Sequence, residues 1–422
     1  MTSTAPAGVR PATGRLWRHR DFRRLWAAQT VSRFGSMVSE LALPLTAILV
    51  VHASTLQVGL LTAVESVAFL LVGLPAGAWV DRMRTRQVLI VTDALRAVAL
   101  ASIPVAAVFD VLTMAQLYVV ALGTGVCTVF FDVGFQSYLP QLVERRDLVD
   151  GNAKLQISES IAQIAGPSLG GLLVQALTAP YAVLVDAVSF VFSAAWVGRI
   201  EARSPKPRRE PERSLVREIG AGVRFVFGHR LLRPILTSTA VINLFHPIGF
   251  AVYVLLLART LHLSPALIGL IAAVASVGAL LAAMSASRLA ARFGPGRTIV
   301  VSLMLCGPAS FVIPFVEQDW TLLLLTASQG LYAACVVTYN ITQVSLRQAL
   351  CPPNLLGRMN ATVRFVVWGL IPIGAAIGAV LGSWLGLRPT LVISAIGVSF
   401  GFLPVLLSPV RKVRDVPVWV DG

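Results

Sequence analysis

The sequence predicts an all-α polytopic membrane protein whose twelve transmembrane helices form two pseudo-symmetric six-helix bundles. Three observations carry that expectation. Of the 422 residues, 56% are hydrophobic and only 13% are charged, where a soluble chain of this length carries about a quarter. Apolar runs near the ~20 residues needed to cross a bilayer recur from end to end, whereas a membrane β-barrel shows short alternating segments. The basic residues, mostly Arg, gather in every second loop, the pattern of positive-inside topology.

The tail 1–24 carries Arg10, Arg15, Arg18, Arg20, Arg23 and Arg24 and is expected in the cytoplasm. It has no cleavable signal pattern, and the apolar run that follows is too long for a signal peptide, so it should remain as an anchor. Helix 1 is expected from about Leu25 to Val51, helix 2 from Val58 to Val80, and helix 3 over Val88–Phe109. Helix 4 covers Met114–Tyr138, helix 5 about Leu155–Leu177 and helix 6 Tyr181–Val197. The loops after helices 2 and 4 are basic and inner. The turns after helices 1 and 3 carry no basic charge and are outer.

Then comes the longest polar segment, with SPKPRREPERS at its centre. Beyond it Leu215, Ile219, Val223 and Val226 recur at helical spacing, which predicts a surface-lying amphipathic helix. The second half repeats the plan. Helix 7 is expected at Ile235–Leu257, helix 8 at Ile268–Leu289, helix 9 at Ile299–Val316 and helix 10 at Leu322–Leu346. Helix 11 follows at Phe365–Leu385 and helix 12 at Leu391–Leu407, before a basic tail. The expected domains are therefore bundles at 25–198 and 234–408, a cytoplasmic linker at 199–233 and a cytoplasmic tail at 409–422.

The halves also resemble each other residue by residue. Gln136, Leu139, Gln141, Asn152, Ala153, Gly166 and Gly170 recur in order as Gln343, Leu346, Gln348, Asn360, Ala361, Gly374 and Gly378. Val188-Ser189-Phe190 recurs as Val398-Ser399-Phe400. Two halves of this kind, related by an axis along the membrane normal, are a transporter architecture.

A net charge of +15 can indicate a nucleic-acid partner. That reading is rejected here because the basic residues cluster in loops between apolar runs on one side, with Arg259 and Arg388 as outer exceptions. The four cysteines form no CxxC pair, so no disulfide and no metal site is expected. No phosphate-binding Gly-Lys-Ser loop is present, which argues against ATP-driven transport and leaves no expected cofactor. No nucleophile motif suggests an enzyme.

The loop Gly77-Ala-Trp-Val-Asp81-Arg82-Met-Arg84-Thr-Arg86 resembles the loop of major facilitator superfamily transporters, Gly-x-Leu-Ala-Asp-Arg-x-Gly-Arg-Arg. Trp79 and Arg84 depart from that pattern. The matching second-half loop keeps Arg292 and Gly294 but has Ala291 where Asp81 stands. Gly166-Pro167-Ser-Leu-Gly170-Gly171 on helix 5 resembles the antiporter motif of drug–proton exporters. Asp21-Phe22-Arg23-Arg24-Leu25-Trp26, Val88 through Asp93 to Arg96, and Val185-Asp186-Ala-Val-Ser189-Phe190 resemble the bacterial branch that holds macrolide and tetracycline effluxers and the enterobactin exporter. The resemblance spans the chain and is weak for substrate, because the branch is chemically diverse. It implies a secondary exporter of small amphipathic molecules in the cell membrane, working on protons and substrate as a monomer.

The resemblance also implies a cytoplasmic gate of Gly77, Asp81, Arg82, Arg86, Asp93, Arg96 and Asp132. Asp81 can accept hydrogen bonds at the start of helix 11, where the helix dipole is positive, and Arg82 can pair with Asp132. Asp93 and Arg96, three apart, share a helix face. They are either a self-neutralising pair that permits insertion or members of the gate. Glu40 and Glu65 fall at similar depth on antiparallel helices with no basic neighbour in sequence. A desolvated carboxylate can exchange protons near neutral pH, which makes them the proton-coupling candidates; the alternative is that each is satisfied by a hydroxyl or by Arg33. Asp186 falls near the outer end of helix 6, where it is expected to be hydrated. In the antiporter motif, glycines four apart let helices approach closely and Pro167 can kink helix 5. Substrate contacts are expected from Phe69, Phe130, Asn243, Phe245, His246, Tyr332, Asn340 and Trp368. Competing readings are a dedicated siderophore or natural-product exporter, a lipid transporter of the same fold, and a non-transporting membrane sensor.

Overall fold

The computed structural model describes residues 15–81, 83–143, 148–201, 223–351 and 356–414. Twelve long helices are present among them. In the first half they are α1 (Arg20–Leu49), α2 (Thr55–Asp81), α3 (Thr85–Val108), α4 (Met114–Leu142), α5 (Leu148–Leu177) and α6 (Ala179–Gly198). The second half has α7 (Leu232–Leu255), α8 (Pro265–Phe293), α9 (Pro295–Phe311), α10 (Thr321–Ala349), α11 (Leu356–Trp384) and α12 (Leu387–Phe400). A π-helical turn, Leu256–Thr260, prolongs α7. The protein is an all-α membrane protein, as the sequence predicts. The ends that carry the Arg-rich loops are called inner below.

Most helices run past the apolar segments expected from sequence, chiefly at their inner ends. α5 starts at Leu148 rather than Leu155, and α11 at Leu356 rather than Phe365. Apolarity marks only the part of a helix that lies in hydrocarbon, while backbone hydrogen bonding continues through the headgroup region. Eleven helices are long and apolar enough to span by composition. α1 is the exception. Its 30 residues reach about 45 Å, but Arg33, Glu40 and several hydroxyl residues lower its apolarity. It is packed against α5 and α6 inside the first half rather than turned to lipid.

The repeat seen in sequence governs the packing. In the first half α1 packs on α5 and α6, α2 on α4, and α3 on α4 and α6. The second half repeats each pair six helices later: α7 on α11 and α12, α8 on α10, and α9 on α10 and α12. The halves meet along two equivalent seams, α5 against α8 and α2 against α11. Large apolar side chains such as Val98, Val119 and Leu323 point outward, as lipid-facing helices require.

The outer ends of the halves are joined. Leu255 of α7 sits in the apolar cluster of the first half with Leu45, Ile48 and Val58. The Arg259 guanidinium donates to the Ala53 carbonyl across the boundary. Moving inward, Gly59 abuts Ala379, Ser276 Oγ donates to the Gln163 carbonyl at 3.2 Å, and Phe69 meets Trp368 edge-on with centroids 4.7 Å apart. Phe69, Gln163 and Trp368 lie near the midpoints of their helices. The outer side is therefore closed.

The amphipathic helix expected from Leu215 lies mostly outside the described residues; 223–228 are helical. Within the second half, α8 and α10 cross where Gly278 rests on the Gly330 backbone. Gly278→Leu drives a side chain into that crossing and should cost about 1–3 kcal/mol, read as a lowered melting temperature of the purified protein. Gly123→Leu, where a side chain meets open space, should leave the melting temperature unchanged.

Candidate functional site

Three stretches far apart in sequence come together inside the first half. Arg96 of α3 pairs with Asp93 one turn earlier. Its guanidinium lies between the rings of Phe131 on α4 and Phe190 on α6, at 4.5 and 4.0 Å from their centroids. Asp93 is fully buried and Arg96 nearly so. Two aromatic faces and one carboxylate offset the cost of placing a guanidinium in a low-dielectric interior.

Beside this cluster, Asp186 of α6 accepts a hydrogen bond from Ser189 Oγ at 3.0 Å. Both side chains occupy the space a Cβ on Gly35 of α1 would fill. Asp186 is only 2% exposed. The expectation of a hydrated Asp186 is therefore corrected, because the close approach of α1 at Gly35 covers it. At the inner end, Arg24 of α1 bridges Asp21 at 2.9 Å and Glu201, beyond α6, at 3.0 Å. Trp26 Nε1 donates to Ser158 Oγ of α5 at 2.9 Å. The stretches at 21–26, 88–96 and 185–190 thus clasp α1, α3 and α6 together.

A second group of charges faces accessible space. Glu40 lies nine residues from the outer end of α1, and Glu65 ten residues from the outer start of α2. At 1.5 Å per residue both lie about 14–15 Å in from the outer ends. Both are accessible to water, yet each is surrounded by the bundle and feels charge on α1: Glu65 that of Glu40, and Glu40 that of Arg33. Arg33 does not pair with Glu40. Its guanidinium makes a two-pronged bond to Glu159 of α5, with Nη2 to Oε1 at 2.7 Å. Gln163 donates to Glu159 Oε1 at 3.1 Å, and Asp132 lies within electrostatic reach of Arg33. Sequence alone suggests Glu159 only as an extension of the gate. The available signal was that Arg33 and Glu159 are isolated opposite charges in the inner halves of their helices.

The expected gate is only partly within view. Arg82 and the side chains of Gly77 and Asp81 lie outside the described residues, so the Arg82–Asp132 and Asp81–helix 11 contacts do too. Arg86 is used within its own half, where it donates to the carbonyls of Val197 and Gly198 at the end of α6. That placement suits the negative end of a helix dipole.

The antiporter-like motif packs on two partners. Gly166 and Gly170 face Met37 and Val38 of α1. Gly171 and the Pro167 carbonyl meet Pro265 and Gly269 of α8 so closely that a Cβ on Gly171 or Gly269 would strike backbone. The second-half counterparts, Gly374 and Gly378, lie against the backbones of Leu244 and Ile248 on α7.

The aromatic substrate candidates fall into four places. Phe69 and Trp368 pair across the α2–α11 seam, whereas Phe130 stacks on Trp79 with centroids 5.9 Å apart. His246 lies flat between Tyr332 and Phe250 at 4.9 and 6.1 Å. Phe245 packs where a Cβ on Gly397 would stand. Asn243 Nδ2 is engaged by the Thr239 carbonyl at 3.0 Å, and Asn340 is exposed.

The halves are alike in fold and unlike in charge. From Leu232 to Leu406 the only acids are Glu317 and Asp319, in an outer turn. By the spacing of the repeat, Val367 stands opposite Glu159 and Ile396 opposite Asp186. One half holds interior carboxylates and the other offers apolar, aromatic and amide surface.

Two repeated six-helix halves, closed on one side and charged in the interior of one half, define a membrane transporter rather than an enzyme. Over residues 15–418 the sequence matches the transmembrane secretion effector family, and the chain belongs to that family of major facilitator transporters. It is 26% identical to the enterobactin exporter EntS of Citrobacter koseri over 422 residues, covering 96% of each chain. To the multidrug efflux pump Tap of Mycolicibacterium fortuitum it is 25% identical over 401 residues, covering 92% of this chain and 95% of the pump. Its fold is also that of a bacterial homologue of the iron transporter ferroportin in an inward-facing state, with a TM-score of 0.72 at 19% identity, covering 92% of this chain and 98% of the other.

The Arg33–Glu159 pair makes a direct test of the interior charges. Removing either partner strands the other in the bundle. Arg33→Ala and Glu159→Ala should each lower thermal stability. The double variant should recover part of the loss, with a coupling energy of about 1–3 kcal/mol in the mutant cycle.

Proposed function

We propose that this transporter exports small amphipathic molecules from the cytoplasm by alternating access, in exchange for protons. The observation that carries the reading is the placement of Glu40 and Glu65 on consecutive helices at one depth, both accessible to water, with Glu65 within reach of the Glu40 charge. Two carboxylates so arranged resist ionising together. Proton binding at one is therefore linked to the state of the other, and to any cation or substrate that enters between them. The Arg33–Glu159 pair nearby keeps α1 and α5 in register while the site titrates.

The closed outer side corresponds to the state that receives substrate from inside. Substrate is expected to settle between the charged first half and the second-half surface of His246, Tyr332, Asn340 and Trp368. The outer seam then has to part. Asp81 and Arg82 are proposed to latch the inner side in the opposite state, with Ala291 leaving the second-half loop without an equivalent latch. The Arg-rich inner face and both termini are placed in the cytoplasm, and one chain suffices for the cycle.

A dedicated exporter of one natural product is the second reading. It is favoured by the full-length similarity to a protein named as an enterobactin exporter. A panel of drugs, dyes and catecholate siderophores, followed in a pump-deleted bacterial host with and without an uncoupler, separates the two by substrate range. In either case Glu40→Gln and Glu65→Gln should abolish uncoupler-sensitive efflux while membrane abundance stays at the wild-type level. Normal efflux by both variants contradicts the coupling role.

A further inference from the structure

The second half carries a lateral groove of about 650 Å3 between α8 and α9, floored by α10. We propose that it holds one acyl chain of an anionic phospholipid from the inner leaflet, with the lipid phosphate seated between Arg292 and Arg297. The groove is separate from the interior charges of the first half and goes beyond the transport reading.

Small residues shape it. Gly330, Ala334 and Thr338 of α10 form the floor, spaced by about one turn. α8 and α10 touch at Gly278 and Gly330. Inward of that crossing, the larger side chains of α8 and α9 stand on either side of the floor as walls. The groove follows α8 from Gly278, near the middle of the helix, to Phe293, its last residue. Fifteen residues of helix make about 22 Å, close to the depth of a single leaflet with its headgroups, about 20–22 Å. Leu281 and Val301 on the two walls are more than half exposed, so the groove opens sideways, where lipid chains lie.

Its inner mouth is basic on both walls. Arg297 of α9 lines the groove itself. Arg292 of α8 lies over the ring of Phe293, 5.5 Å from its centroid, and Phe293 lines the opposite wall. The basic tail adds to this charge: Gly296 N donates to the Val413 carbonyl at 3.0 Å, which brings Arg414 against Gly294. Among the described residues neither Arg292 nor Arg297 has an ion-pair partner. The loop explains why, since Ala291 stands where the first-half loop has Asp81. No acid occurs between Leu232 and Val316. Guanidinium groups recognise phosphate oxygens through paired hydrogen bonds, and a basic site at the bilayer surface selects anionic over zwitterionic lipid.

The test uses the purified full-length protein in detergent, titrated with phosphatidylglycerol or phosphatidylcholine of matched chains, with bound lipids counted by native mass spectrometry. The wild type should bind one phosphatidylglycerol more tightly than phosphatidylcholine. Arg292→Ala with Arg297→Ala should weaken phosphatidylglycerol by about fivefold for each arginine, about 30-fold together, and leave phosphatidylcholine unchanged. Both arginines are exposed, so this variant should fold. Ser285→Phe, which fills the groove from the α8 wall, should weaken both lipids. Equal affinity for the two lipids in the wild type, or unaltered phosphatidylglycerol binding in the arginine variant, overturns the proposal. So does a Ser285→Phe variant that loses binding of a transported dye while keeping its phosphatidylglycerol.

Discussion

A charged side chain at the centre of a bilayer costs about 2.5–3.5 kcal/mol even on the lenient scale of helix insertion. The organisation of this transporter follows from that cost. Arg96 is held between two rings and beside Asp93, and Arg33 is bound by Glu159. Asp186 is covered by α1 and hydrogen-bonded by Ser189. Each of these groups ties one helix of the first half to another. The second half avoids the cost, with no acid inside its helices. The division leaves the interior carboxylates to one half and the apolar, aromatic and amide surface to the other.

Movement between two states requires that the contacts holding either one be few and modest, because a balance of a few kcal/mol is easily shifted. The outer closure meets that requirement. Among the described residues it includes the apolar contacts of Leu255, close glycine contacts at Gly59, Gly171 and Gly269, one hydrogen bond from Ser276, one from Arg259 and the Phe69–Trp368 edge contact. These are contacts that can part without stranding a charge. Among the described residues the ion pairs of Arg24, Arg33 and Arg96 lie within the first half, which can then move as a body.

The fold was legible because a bilayer imposes simple rules. Apolar runs, Arg-rich inner loops and a repeat of Gln, Asn and Gly residues were enough to find the twelve helices and their division into two repeated halves. Helix ends were less legible, since hydropathy follows lipid rather than hydrogen bonds; α11 begins nine residues before its apolar core. The site was readable one residue at a time and unreadable as a constellation. Asp93, Arg96, Asp186, Arg33 and Glu159 all stand out as charges in apolar runs. Which of them meet depends on helix rotation, and no side-chain period in an evenly apolar helix reports it. The sequence therefore leaves Arg33 available to Glu40, whereas the packing of α1 on α5 gives it to Glu159. The sequence predicts a hydrated Asp186 because its distance from the helix end is visible there and the close approach of α1 at Gly35 is not.

The claim at the centre of this account is that substrate and protons compete at the interior acids of the first half. The most direct measurement is proton release on adding a transported substrate to purified, detergent-solubilised protein in weakly buffered solution with a pH indicator. The account predicts release that saturates with substrate in the wild type and disappears when Glu40 and Glu65 are both replaced by Gln, while substrate still binds. Undiminished release from that double variant would contradict it.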